Sequence, residues 1–480
     1  MVTDTDTARH VVVIGNGMTG ARFAEEVARR DPRGERLRVS VVGEETEPAY
    51  NRVLLPGVLA GRYAPEDIRL PVPETGAVSV RTGAAAVRLD TGRRRVRLDD
   101  GTALDYDELV LATGARAAFP PIPGLSAPDG APEAGVTALR DLADCRRLAA
   151  LARPGGPVVV LGGGVLGLEA ARALTERGMR VSVVESAPWI MRRQIDQAAA
   201  QILARHYTRL GVAVHSWRVA ARWIPGTGLE LDDGRLLAGD ALVVTAGVRA
   251  NTELAQAAGI EVDRGVLVDD TLTTSDPRVH AIGDCAQHPG GGGGLVQPGW
   301  EQAAVLADRL TGTRLEARYT GARPVTRLKA EGIELTAMGD PEADDTAETV
   351  TVADPHGGRY AKLSVRAERV VGAVLLGLPE SASAIAQLYD GDTPVPGDRL
   401  ALLMGRAQPE APAGQPGPAP LVCRCNAVSR DDMEAAWLDG ARTRDAMARA
   451  TRATTGCGGC IRDVDTLLSG WNGREPIAAT

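Results

Sequence analysis

The sequence predicts an α/β protein made of two βαβ units, a separate small α+β unit and a small helical module that carries four cysteines. Three observations predict it. Two segments repeat one pattern, HVVVIGNGMTG at 10–20 and PVVVLGGGVLG at 157–167. Each reads as a buried strand, a glycine-rich turn and a helix, followed by a further strand. From about residue 321 the pattern changes to strands such as AKLSVRAERVVGAVLLG, with a helix after Pro379. Beyond residue 420, Cys423, Cys425, Cys457 and Cys460 fall in two close pairs.

Composition fits a multidomain globular chain. At roughly 150 residues per domain, 480 residues make several domains with sizeable cores. Hydrophobic residues are 44% and charged residues 24%, ordinary values for a globular protein. The net charge is −8 with no polybasic tail, which argues against a nucleic-acid partner, because phosphate binding needs clustered Lys and Arg. The one basic run, Arg93-Arg94-Arg95, reads as the solvated face of a strand. No run of apolar residues is long enough for a membrane span. The start, MVTDTDTARH, lacks an apolar signal region. The expectation is a cytoplasmic protein, whose six cysteines serve as metal ligands or reactive thiols rather than disulfides.

The first turn is Gly15-Asn16-Gly17-Met18-Thr19-Gly20, before a helical stretch at Ala21–Arg30. Gly15 permits a tight turn, Gly17 lets a pyrophosphate approach the backbone, and Gly20 allows close packing of helix on strand. Glu44 ends the next strand, where it can accept hydrogen bonds from a ribose. Residues 78–111 alternate as in hairpins and lead to Ala112-Thr113-Gly114 after a strand. The second turn, Gly162-Gly163-Gly164-Val165-Leu166-Gly167, precedes a helical stretch at Leu168–Arg177, and Glu185 ends its following strand. A carboxylate there favours a free 2′-hydroxyl and repels a 2′-phosphate, so NADH is preferred. Arg192 and Arg193 nearby leave NADPH open. Residues 228–247 again read as hairpins and end in Thr245-Ala246-Gly247. Short strands over 264–284 end in Ala281-Ile282-Gly283-Asp284, where the aspartate can bond a ribityl or pyrophosphate group.

In this order of GxGxxG, ATG, GGGVLGLE, TAG and GD, the chain resembles the two-dinucleotide flavoproteins. These have two Rossmann-like domains of the glutathione-reductase type, with FAD in the first and NAD(P)H in the second. The resemblance implies that Gly15, Gly17, Gly20 and Glu44 hold the adenosine-diphosphate part of FAD and Asp284 its ribityl. Arg52, in AYNRVLL, would run beside the flavin, and Glu169, in GLGLE, would stand near the nicotinamide–flavin junction. A helix beginning at Gly299 would aim its N-terminus at the flavin, with Trp300 beside it, and its dipole would stabilise negative charge on the reduced ring. Gly162, Gly164, Gly167 and Glu185 would hold the nicotinamide cofactor, with Thr113, Gly114, Gly247 and Gly283 lining the cofactor sites. No dithiol motif follows the first turn, where Asn51 and Leu55 stand, so disulfide reduction is not expected. Cys145 and Cys285 read as small buried residues. His206, His215, His280 and His288 show no ligand spacing.

The C-x-C and C-x-x-C pairs suit tetrahedral thiolate ligation of either zinc or a [2Fe–2S] cluster, and spacing does not choose between them. Helical stretches at Asp431–Asp439 and Thr443–Thr451 lie between the pairs. The stretch VCRCNAVSRDDM…TRATTGCGGC resembles the small helical [2Fe–2S] domain of bacterioferritin-associated ferredoxin. That resemblance implies a cluster on Cys423, Cys425, Cys457 and Cys460.

The expected domains are FAD-binding (9–120 with 255–320), NAD(P)H-binding (121–254), an α+β interface domain (321–404), a proline-rich linker (405–420) and the [2Fe–2S] module (421–475). The linker, with five prolines, reads as a semi-rigid tether that lets the module move between flavin and partner. A flavin accepts a hydride and gives up single electrons, so electrons would pass from NADH to FAD to the cluster and then to a partner. Over nearly its whole length the chain resembles the N-terminal half of NADH-dependent nitrite reductase large subunits and the electron-transfer subunit of assimilatory nitrate reductase. The shared stretches are AYNRVLLPG, GGGVLGLEAARAL, IMRRQID, GVRANTELAQAAGI and CRCN…TGCGGC. Nitrite reduction by that route needs sirohaem and a [4Fe–4S] centre on four further cysteines, which Cys145 and Cys285 cannot supply. The expectation is an electron-supplying subunit for a separate molybdenum nitrate reductase. The alternatives are a reductase for a separate nitrite reductase, ferredoxin or oxygenase, and a flavin reductase with a structural zinc tail.

Overall fold

The computed structural model of the chain describes residues 8–73, 75–127, 130–291, 294–342, 346–406, 421–423, 426, 428–456 and 458–473. Cys425, Cys457 and residues 407–420 of the expected linker lie outside the described residues.

Valine-rich runs with no polar alternation form strands that are covered on both faces, as parallel sheets require. Val11, Val12 and Val13 are fully buried, and so are Val159 and Val160. The first sheet runs Val279–Ala281, Glu108–Leu111, Arg9–Ile14, Leu37–Val42, Val78–Arg81, all parallel. The second runs Ala213–Ser216, Arg180–Glu185, Pro157–Leu161, Ala241–Val244, Val136–Thr137, also parallel. The hairpin reading of 78–111 is corrected at both ends. Val78–Arg81 and Glu108–Leu111 join the parallel sheet, and only the strands between them form an antiparallel meander. The second meander, over 220–238, precedes the last parallel strand of the second sheet in the same way.

The helices after the turns begin earlier than their hydrophobic pattern suggests. They span Met18–Arg30 and Val165–Glu176, with Gly17 and Gly164 as N-caps. Each helix therefore starts inside its glycine motif, which brings its free N–H groups to the turn. The helix expected from Gly299 is Val296–Leu310, so Gly299 sits in its first turns. It packs against the Met18–Arg30 helix, and Arg30 Nε donates to Asp308 Oδ1 at 2.6 Å across the contact.

The chain passes from the first sheet to the second along Ala115–Ala117 and returns along Val248–Ala250, and these two strands pair antiparallel. A five-stranded antiparallel sheet follows, in the order Val325–Ala330, Ile333–Gly339, Arg369–Leu376, Arg359–Arg366, Glu348–Asp354. One set of its side chains, including Leu335, Tyr360 and Leu376, shares a core with the second parallel unit. The other packs under the helix Pro379–Asp390.

The C-terminal module is a short hairpin, Leu421–Cys423 with Val428–Ser429, and three helices, Arg430–Leu438, Arg444–Thr451 and Ile461–Asn472. Ser429 and Asp432 form a capping box and Thr443 caps the second helix, a typical gain of about 1 kcal/mol each. The third helix was not expected, although Val464, Leu468 and Trp471 recur at helical spacing and are buried. Met433, Met447, Val464, Leu468 and Trp471 form one core with Cys423, Cys460 and, from the first unit, Met18 and Trp300. The module is thus docked on the first parallel unit.

Candidate flavin, nicotinamide and iron–sulfur site

In both sheets the strand that feeds the glycine turn lies where the strand order reverses, with the next strand on one side and a later strand on the other. Ligands of doubly wound sheets bind in that crevice. The glycines divide the work. A Cβ on Gly15 would fall 2.1 Å from Ala112 O, and one on Gly20 would fall 1.9 Å from Gly15 O. Backbone packs directly on backbone at these two. A Cβ on Gly17 would meet nothing within 4 Å, so Gly17 borders open space at a helix N-terminus. The second turn repeats the division: Gly162 and Gly167 have no room (2.7 Å to Thr245 O and 1.9 Å to Gly162 O), whereas Gly164 is open. The residues present fit a dinucleotide pyrophosphate at each turn.

Thr113 closes on Gly15, and Gly283 and Gly299 close on Thr19, so these expected residues border the first turn. Arg52 lies in the short turn Arg52–Leu54 and pairs with Glu45. Its Nη1 donates to Arg140 O at 3.0 Å, and Arg140 Nη2 pairs with Asp284 Oδ2 at 2.5 Å. Arg140 thus joins Arg52 to Asp284, a link with no local signal in the sequence. Thr113 and Gly114 are tied to the returning crossover: Asn251 Nδ2 donates to Thr113 O and Thr113 Oγ1 to Asn251 O, both at 2.8 Å, and Asn251 N donates to Gly114 O at 3.0 Å. Gly283 N donates to buried Gln302 Oε1 at 2.8 Å. Glu44 is exposed and lies two residues past its strand, which ends at Val42 rather than at Glu44, and Gly247 is exposed beside the crossover. At the second turn, Glu185 Oε2 accepts from Gly163 N at 2.7 Å and Oε1 from Ala187 N at 2.8 Å. The carboxylate is thereby held against the turn.

Two further expected residues are tied to neighbouring units. Glu169 is buried and accepts from Lys329 N at 2.9 Å on the neighbouring antiparallel sheet. Burial pushes its carboxyl up in pKa, against the pull of the Lys329 charge and N–H. Trp300 Nε1 donates to Met18 O at 3.0 Å, and its indole packs into the C-terminal module's core.

Cys423 and Cys460 are buried, 1% and 3% exposed, in that shared core. Asn426 Nδ2 stands 3.6 Å from Cys423 Sγ. Soft thiolates in an apolar pocket with an amide donor suit an iron–sulfur cluster, and the other two expected ligands lie outside the described residues. Asn51 Nδ2 donates to Thr455 O at 2.8 Å and to Gly456 O at 2.5 Å, and Arg327 donates to Gly459 O. Described residues on both sides of Cys457 in the sequence are therefore held from two other units. Cys145 and Cys285 are buried, and burial raises both thiol pKa values, Cys145 to about 12. They behave as small apolar residues.

The fold and site define a flavin-dependent NAD(P)H oxidoreductase with two dinucleotide folds and a thiolate-ligated cluster module. Comparison with known proteins agrees. The family described as pyridine nucleotide-disulphide oxidoreductase matches residues 9–305, the rubredoxin NAD+ reductase C-terminal domain 324–390, and the BFD-like [2Fe-2S] binding domain 421–469. The chain belongs to the pyridine nucleotide-disulphide oxidoreductase family. Its cofactors are FAD, NAD(P)H and a [2Fe–2S] cluster, which settles the choice between zinc and iron–sulfur that spacing left open. It is 32% identical to the nitrite reductase [NAD(P)H] of Bacillus subtilis, over 96% of this chain and 57% of that one. It is likewise 32% identical to the assimilatory nitrate reductase electron transfer subunit of the same organism, over 96% and 59%. The chain thus spans under three-fifths of these two relatives. The covalent putidaredoxin reductase–putidaredoxin complex superposes with a TM-score of 0.74 at 26% identity, covering 82% of this chain and 97% of that one. Among the described residues, no helix is long and apolar enough to cross a membrane.

Proposed function

We propose that this chain draws electrons from NADH and delivers them, through FAD and the cluster of its own C-terminal module, to a separate redox protein. The acceptor we favour is the molybdenum-bearing catalytic subunit of an assimilatory nitrate reductase. The observation that carries the reading is the docking of the module. Cys423 and Cys460 share one buried core with Met18, in the first glycine turn, and with Trp300, on the helix packed against it. When bound, the flavin converts hydride transfer into single-electron transfer.

The chain's own residues would do the rest. The N–H groups at Gly17 and Gly164 would bind the two pyrophosphates. Glu185, locked by Gly163 and Ala187, would accept from the adenosine ribose of NADH and reject a 2′-phosphate. Arg52 would border the flavin with its charge. Glu169 would act at the nicotinamide end from the helix Val165–Glu176, held there by Lys329.

A second reading keeps the electron path and changes the acceptor to a separate nitrite reductase, ferredoxin or oxygenase component. The likeness to a reductase captured with putidaredoxin favours it. One experiment tests the common path: anaerobic titration with NADH, followed by flavin absorbance and low-temperature EPR together. The expected result is bleaching of the flavin with growth of a reduced [2Fe–2S] signal. A bleached flavin with an iron-loaded but silent module would sink the path. Turnover with nitrate and a molybdenum subunit, against turnover with a ferredoxin, then separates the acceptors.

A further inference from the structure

We propose that Arg22, on the first helix of the flavin unit, couples docking of the C-terminal module to the reduction potential of its cluster. The inference rests on the electron path above. Arg22 is 8% exposed, and its Nη1 donates to Asn426 Oδ1 at 3.1 Å across the docking seam. An arginine can only donate, so the amide oxygen of Asn426 must face it. The amide NH2 is thereby turned toward Arg452 O (2.6 Å), Thr455 Oγ1 (3.3 Å) and Cys423 Sγ (3.6 Å). Arg22 therefore sets the direction of an N–H that points at a ligand thiolate.

Its charge acts as well. Arg22 pairs with Glu26 at 2.8 Å and approaches Glu25 at 3.9 Å. Arg29, Arg30 and Arg452 contact the same two carboxylates and Arg30 also pairs with Asp308, so four guanidiniums share three carboxylates there. The guanidinium also lies over the Trp300 ring, 5.0 Å from its centroid. Arg22 Nε is buried without a hydrogen-bond partner among the described residues. An orphaned buried donor is costly, so Arg22 is held at the seam at the expense of one of its own hydrogen bonds.

Once loaded, the cluster would take one electron from the reduced flavin, with no bond made or broken at its thiolate ligands. The added negative charge is stabilised by N–H···S donors and by nearby cations, which raises the potential. The docked module is thus tuned to take the electron. Once it leaves the seam, the Arg22 charge and the set of Asn426 are lost, the potential falls, and the electron passes more readily to the partner.

The test is an EPR-monitored redox titration of the full-length, cluster-loaded protein, with hydrogen exchange of residues 452–456 as a cluster-independent measure of docking. Arg22→Met should shift the reduction equilibrium about tenfold toward the oxidised cluster, ~59 mV for one electron. Arg22→Lys should recover part of the shift, because it keeps the charge. Glu25→Lys sets a like charge against Arg452 and should raise exchange and lower the potential together. An unchanged potential in Arg22→Met, or an opened seam at unchanged potential in Glu25→Lys, would overturn the proposal. If the unaltered protein shows no [2Fe–2S] signal at all, the underlying electron path has failed as well.

Discussion

The side-chain amide of Asn51 reaches the carbonyl oxygen of Gly456, the residue before Cys457, at 2.5 Å. The two are 405 positions apart in the chain. Asn51 Oδ1 also accepts from Val53 N at 3.1 Å, which caps the turn that carries Arg52. One buried side chain therefore holds the expected flavin-side arginine and the expected cluster loop in a fixed relation.

Asn51→Ala leaves the carbonyls of Thr455 and Gly456 short of their donor at a buried seam, a loss of about 1–3 kcal/mol. Hydrogen exchange should rise in residues 452–456. In stopped-flow mixing with NADH, the electron should reach the cluster more slowly than in the unaltered protein. Unchanged exchange and unchanged cluster reduction would remove Asn51 from the clamp.

The two open glycines should separate binding from folding. Gly17→Ala meets no protein atom within 4 Å, so the apoprotein should keep its melting temperature while FAD affinity falls. Gly164→Ala should keep FAD and raise KM for NADH. Gly15→Ala is the control: its Cβ would collide with Ala112 O, and at φ +114 it is strained in any case, so the fold itself should suffer. Retained FAD affinity in Gly17→Ala would show that the pyrophosphate does not sit at that face.

Glu185→Ala removes the carboxylate that Gly163 N and Ala187 N hold in place. The ratio of kcat/KM for NADH over NADPH should fall by about tenfold, or roughly 1.4 kcal/mol. A ratio that does not move would place the ribose elsewhere.

Glu169 offers a test by pH. Its folded-state pKa is raised above the ordinary 4.5 by burial, so the folded form binds its proton more tightly than the unfolded chain. Stability from this group is present below the unfolded value and is lost as pH rises through the folded one. Glu169→Gln still accepts from Lys329 N and carries no charge. Its melting temperature should exceed that of the unaltered protein in neutral buffer, and the gap should close in acid. A gap independent of pH would show that burial does not raise the pKa of the Glu169 carboxyl.

Much of this protein was legible in the sequence because its signals are local. The turns at 15–20 and 162–167, the acid Glu185 at its strand end and the paired cysteines are short-range patterns. Each is tied to a chemical need that neighbouring residues meet by themselves. The helix starts at Met18 and Val165, and the parallel pairing of Val78–Arg81, escaped that reading because capping and strand partners are set by packing.

What the sequence by itself determined was the two glycine turns, the paired cysteines and the order in which their units follow one another. What only the tertiary structure decided was how those folds meet. Arg22 with Asn426, Asn51 with Gly456, Arg327 with Gly459 and Arg140 with Asp284 are each joined over more than a hundred residues of chain. No periodicity or spacing encodes such pairs. They form because burying the apolar core around Met18, Trp300, Cys423 and Cys460 brings polar groups to a seam where each must find a partner or be left unsatisfied.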